Sequence, residues 1–283
     1  MRLHAGIAAA ALWLATSGVA GAATIVTANN PAPGDSFTNA GPTNQGQAIG
    51  TSGWYYNNVR NGGTVGINTT LPRNGNGSAW FQNLDGADKA DIEFLPNAAN
   101  IAGNFVSVGS LGAFSALSTF GYEWYRDGTS TNPAVQHPAL RVLLDLDGNL
   151  LTNDRAGLVF ERAYNSLPTL TDQWVADTIG ASTNLWSFGA LGFATGGYGV
   201  TLAQWQAQLA TAFPNAVIVG FSAGVGSGWN GVFTGAVDSI TWTIGGQTSS
   251  FNFEVTGVPV PEPAALALFG LALAGLAAAR RRA

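Results

Sequence analysis

The chain has 283 residues, no cysteine, two histidines and a formal net charge of −5. Thiol catalysis and cysteine-ligated metal centres are therefore excluded, and the acidic balance argues against binding nucleic acid.

In chain order, the first predicted element is a targeting segment. Arg2 precedes an apolar stretch from Ile7 to Ala15, and "TSGVAGAAT" follows, with Ala20 and Ala22 in the small-x-small spacing that signal peptidase reads. Cleavage is predicted after Ala22. The run has no accompanying polar face, which argues against a buried helix of the folded body.

The mature body, residues 23–260, is long enough for one large all-β domain. It holds seven basic residues (Arg60, Arg73, Lys89, Arg126, Arg141, Arg155, Arg162) against fifteen acidic ones, a net of −8. Its one histidine, His137, precedes Pro138 and leaves little for a zinc cluster or a serine triad. Short apolar segments separated by glycine, asparagine and proline predict a jelly-roll-like β-sandwich with one short helix.

Aromatic clusters punctuate this body: "GWYYNN" (Trp54, Tyr55, Tyr56), "SAWFQN" (Trp80, Phe81), "GYEWYRDG" (Tyr122, Trp124, Tyr125) and "GSGWNG" (Trp229). Most aromatics of a sandwich are core. Trp229, in a glycine-rich loop, and Tyr55 and Tyr56, beside Asn57 and Asn58, are the candidates for stacking on sugar rings.

"ALRVLLDLDGNL" alternates Leu140, Val142, Leu144 and Leu146 with Arg141, Leu143, Asp145 and Asp147, the pattern of a strand with one apolar face. "GLVFERAYN" returns as its antiparallel partner. Between them Asp145, Asp147 and Asn149 stand at alternate positions, with Asn153 and Asp154 as further oxygens, the opening of a calcium loop. Leu150 and Ala156 stand where an EF-hand needs glycine and glutamate, so the segment reads either as a different calcium loop or as a solvated acidic turn. Calcium is the single cofactor candidate.

"TLAQWQAQLATAF" is the predicted helix: Thr201 and Gln204 have capping-box spacing, Leu202, Trp205, Leu209 and Phe213 share a face, and Pro214 ends it. "AVIVGFSAG", "GVFTGAVDSITWTI" and "SSFNFE" complete the strands. Strict alternation puts Asp238 on the face of Ala236, Ile240, Trp242 and Ile244, where it needs either backbone or arginine donors or a bulge that turns it away. Glu161 and Glu254 are the one pair weighed as glycosidase carboxylates.

The C-terminus joins Pro261-Glu262-Pro263 to an apolar run, Ala264 to Ala279, and to Arg280, Arg281 and Arg282. Sixteen helical residues span about 24 Å against a hydrocarbon core of about 30 Å, short for a permanent anchor. The arginines stay cytoplasmic, which exports the body. These three parts in order resemble the PEP-CTERM sorting signal of Gram-negative bacteria. The resemblance implies signal peptidase and an exosortase as processing partners, an inner-membrane intermediate, and a destination in the cell envelope or extracellular matrix.

A broader likeness runs over residues 138–254. "PALRVLLDLDG", "GLVFERAYN", "TDQW", the Trp205 helix, "VGSGWNGVFTGAVDSITW" and "FNFE" resemble the body of exported PEP-CTERM proteins with a lectin-like sandwich. The expectation is a noncatalytic protein bound to exopolysaccharide or associated with the matrix. A structural adhesin-like surface protein and a polysaccharide-active enzyme are the alternatives.

Overall fold

The structure, a computed structural model, describes residues 22–226 and 228–256. The predicted signal peptide up to residue 21 and the sorting helix lie outside the described residues. Among those residues no helix is long and apolar enough to cross a membrane.

Among the described residues nineteen strands form in chain order: β1 (Thr24–Thr27), β2 (Phe37–Thr38), β3 (Gln45–Ala48), β4 (Trp54–Arg60), β5 (Thr64–Asn68), β6 (Ser78–Asn83), β7 (Lys89–Phe94), β8 (Ala98–Ile101), β9 (Asn104–Ser107) and β10 (Gly112–Ala113). Then come β11 (Leu117–Arg126), β12 (Ala139–Asp145), β13 (Arg155–Phe160), β14 (Trp174–Ile179), β15 (Asn184–Gly189), β16 (Val200–Thr201), helix α1 (Leu202–Ala212), β17 (Val217–Gly226), β18 (Phe233–Ile244) and β19 (Gln247–Glu254). Turn chemistry sets several of these boundaries. Gly245 and Gly246, both at positive φ, make the two-residue connection that matches the twist between β18 and β19. Ala102 and Gly103 do the same between β8 and β9.

Two sheets face one another. The eight-stranded sheet runs β1-β19-β18-β6-β5-β2, with β11 and β14 added on the free edge of β18. The nine-stranded sheet runs β16-β15-β13-β12-β17-β7-β4-β3, with β10 against β17. The body is thus an all-β sandwich, with α1 as the one α-helix among the described residues. Aromatic rings lock the sheets together. Trp54 of the larger sheet meets Phe253 of the smaller edge-on at 5.0 Å, and Phe221 stacks on Trp242 at 4.4 Å. Each such buried ring contributes about 2–3 kcal/mol of burial free energy.

Helix α1 forms as its sequence predicts. Thr201 and Gln204 close a reciprocal capping box, and Leu202, Trp205 and Leu209 turn into the core, where the Trp205 indole donates to the Leu185 carbonyl at 3.0 Å. The β12–β13 hairpin also forms as the predicted antiparallel pair, with Leu140, Val142, Leu144 and Leu146 all buried.

In β18, strict alternation fails. Strand β18 is held along one edge by β11, and along the other by β6 over its first half and β19 over its second. Ser239, at φ +52°, is a bulge at that hand-over. Phe233 and Val237 point inward before it, and Ile240 and Trp242 after it. Asp238 therefore leaves the core face and stands opposite Glu123, on the outside of the smaller sheet.

Candidate functional site: a polar and aromatic groove on the larger sheet

The inward face of the larger sheet is apolar, so alternation hands its outward face the polar residues of the same strands. Strands β4, β7, β12 and β17 lie side by side and present Asn57, Asp91, Glu93, Arg141 and Ser222. These residues floor a groove of about 490 Å³. A second lobe of about 290 Å³ continues from it, sharing Arg141, Val159, Trp186 and Phe193 and reaching Glu161, Tyr164 and Tyr198. The main lobe falls in the size range of small-molecule sites.

The floor is a closed hydrogen-bond network. Arg141 Nη1 donates to Asp91 Oδ1 at 2.9 Å and to Ser222 Oγ at 3.1 Å, and Lys89 Nζ lies 3.2 Å from Asp91 Oδ2. The Asn58 amide bridges Asp91 Oδ2 and Glu93 Oε1 at 3.0 Å each, and Asn57 donates to Glu93 Oε2 at 2.6 Å. Gly224 makes this possible: it sits directly opposite Asp91, and a Cβ there would strike the Asp91 carboxylate.

The two carboxylates titrate in opposite directions. Burial raises Glu93, and the neighbouring charge of Asp91 raises it further. Burial also opposes ionisation of Asp91, but the charges of Arg141 and Lys89 prevail and hold it below the usual carboxylate range. Glu161 is raised by burial, against the pull of Arg141 and the Trp186 indole.

The wall is aromatic. Trp186 and Phe188 alternate on β15 and share its outward face, and Phe193 reaches over Trp186 with ring centroids 5.2 Å apart. Tyr164 stacks on Tyr198 at 4.1 Å, and Tyr198 meets Trp186 edge-on at 6.3 Å. Phe193 is 72% exposed and Tyr198 36%. The sequence reading missed this cluster. Its signal is "LWSFGALGFATGGYG", two aromatics at strand spacing followed by a glycine-rich loop that carries two more.

The residues singled out from sequence lie elsewhere. Tyr56 is fully buried, its hydroxyl donating to Asp35 Oδ2 at 2.6 Å and accepting from the Ile67 N–H at 2.9 Å. It offers no face to a ligand, a correction that follows from its inward position on β4. Tyr55 points outward, but the β8–β9 hairpin covers it and Phe105 lies 4.4 Å from its ring. Trp229 borders the second lobe, yet it is only 7% exposed and is wedged edge-on against Phe233 at 5.1 Å. A glycine-rich loop does not by itself expose its aromatic.

His137 is buried and neutral, pushed down to about 3 by burial first and then by the charges of Arg162 and Arg126. Its Nε2 accepts from the Arg162 N–H at 3.0 Å, which leaves Nδ1 to donate to the Pro138 carbonyl, also at 3.0 Å. Both nitrogens are occupied by structure. Glu161 faces the groove, whereas Glu254 belongs to the other sheet and accepts from the Asn76 N–H and Asn252, so the two do not form a pair. Asp238 Oδ1 accepts from the Ser239 and Phe253 N–H groups at 2.7 and 3.0 Å, so the bulge and the backbone donors act together.

Asp145, Asp147 and Asp154 do converge. They gather at the tip of the β12–β13 hairpin with carboxylate oxygens within 4.8 Å of one another, and Asn149 lies in the same loop.

The sorting motif Pro261, Glu262, Pro263 and Arg280, Arg281, Arg282 lies outside the described residues, and comparison with known families addresses it. Residues 259–282 match the PEP-CTERM protein-sorting motif. The PEP-CTERM motif implies an exported protein, processed at a membrane by an exosortase. The match covers the tail alone. No curated protein matches the chain.

Proposed function

We propose that this PEP-CTERM protein is a noncatalytic glycan-binding protein of the Gram-negative cell envelope or extracellular matrix, and that the groove on its larger sheet holds exopolysaccharide. The observation that carries the reading is the pairing of an exposed aromatic wall, Trp186, Phe193, Tyr164 and Tyr198, with a polar floor in one open groove. Aromatic faces cover the apolar C–H faces of sugar rings, and the polar floor answers hydroxyls. Among the described residues Arg141 donates through Nη1 alone, so Nε and Nη2 remain for a ligand.

The floor carboxylates support binding over hydrolysis. A glycosidase needs one carboxyl free to protonate the leaving oxygen and a second facing the anomeric carbon. Each of the four oxygens of Asp91 and Glu93 is already bonded to Arg141, Asn57 or Asn58, and both side chains are buried.

Calorimetric titration of the protein with fragments of its host's exopolysaccharide tests the reading, with reducing-end release followed in the same samples. Saturable binding without release is expected. No heat of binding would favour the structural adhesin-like alternative, and release of reducing ends that Glu93→Gln abolishes would make the protein an enzyme.

A further inference from the structure

The hairpin tip between β12 and β13 stands apart from the groove's chemistry and is not used by it. Asp145 ends β12, and Asp147 and Asp154 follow in the loop. Three carboxylates within 4.8 Å repel one another, and Thr152 ties two of them together, its Oγ1 lying 3.0 Å from Asp147 Oδ1 and 3.1 Å from Asp154 Oδ1. The backbone holds the same arrangement, since the Asp147 N–H donates to Asp154 Oδ2 at 2.8 Å and the Asn149 N–H to Asp147 Oδ1 at 2.7 Å.

Asp145 is the decisive member. It is 0% exposed, and neither of its carboxylate oxygens has a well-formed hydrogen bond. The Arg155 charge and the Gly148 N–H both favour its ionised form, but neither gives it a short contact, Arg155 Nε standing 3.5 Å from Oδ2. The Arg155 guanidinium is directed instead at the Ser107 and Leu150 carbonyls, at 3.0 and 3.1 Å. A buried carboxylate left in this condition carries a large desolvation cost unless a cation completes it.

We propose that Asp145, Asp147 and Asp154, with Asn149 as a further oxygen donor, form a calcium site that staples the β12–β13 hairpin. Calcium takes six to eight oxygens at about 2.3–2.6 Å, so no two oxygens of its shell stand more than about 5.2 Å apart, a limit that the three carboxylates meet. Three carboxylates beside one guanidinium leave a local charge of −2, the complement of one divalent cation. The loop offers oxygen alone, with neither histidine nor cysteine, which selects a hard cation over zinc. Magnesium is smaller, demands a near-ideal octahedron and dehydrates reluctantly, so calcium is the better occupant.

The test uses the purified full chain, stripped with chelator and then titrated with calcium chloride or magnesium chloride while its melting temperature is recorded. A ligand that binds the native state raises that temperature in a saturable way. Calcium should raise it at concentrations where magnesium does not, and Asp154→Asn should weaken the apparent affinity at least tenfold. Asp147→Asn is the second variant should the first fold poorly, because its amide oxygen can still accept from Asn149. Calorimetric titration of the wild-type chain reads occupancy directly, with about one calcium per chain expected. No calcium-dependent shift, an equal shift with magnesium, or a shift that both variants retain in full would each overturn the site. Because the readout is melting and metal heat, its failure would leave the glycan reading standing.

Discussion

His137 shows how burial converts a functional candidate into a structural residue. Its imidazole stacks on Trp124 at 4.6 Å and uses both nitrogens on backbone partners. Folded His137 titrates at about 3, whereas an unfolded imidazole titrates at about 6.5. Its contribution is therefore complete above about pH 6.5 and is lost as pH falls from there toward 3, by about 1.4 kcal/mol for each pH unit. The raised carboxylates Glu93 and Asp238 act in the opposite sense, losing stability as pH rises through their folded values, so the histidine must be isolated by difference. Denaturant unfolding from pH 7 to pH 4 should show wild type losing stability faster than His137→Gln. Parallel curves would mean that His137 is protonated in the fold.

At the scale of elements, legibility follows periodicity. Helix α1, the β12–β13 hairpin and strands β17, β18 and β19 were readable because their apolar spacing and caps are local. The phase of β18 was not, because the Ser239 bulge arises where one neighbouring strand hands over to another. The acidic hairpin tip was marked by spacing. The groove was not, because Asp91 and Glu93 of β7 meet Arg141 of β12 across β17, an adjacency no local pattern records. The aromatics diverge for the same reason. Trp229 joins the core through Phe233, and Phe193, from an equally glycine-rich loop, stands in solvent. Trp229→Ala should cost about 3–5 kcal/mol and Phe193→Ala well under 1 kcal/mol in chemical denaturation. Equal costs would contradict this division.

At the scale of the whole molecule, the two sheets divide the work. One face of each builds the shared core, and the outward face of the larger sheet is free to carry the groove. The PEP-CTERM motif at residues 259–282 gives the export route. In a host that has an exosortase, intact mass of envelope material should show loss of the segment after Pro263; recovery of full-length, membrane-retained protein alone would make the tail an anchor. The central claim is that the aromatic wall binds exopolysaccharide, and affinity electrophoresis through gels containing the host's polysaccharide tests it most directly. Wild type and Leu151→Ala, a control at a residue 93% exposed and remote from the aromatic wall, should be retarded equally. The Phe193→Ala/Tyr198→Ala variant should run at least severalfold less retarded while keeping its melting temperature. Equal retardation of all three, or none of any, would contradict the claim.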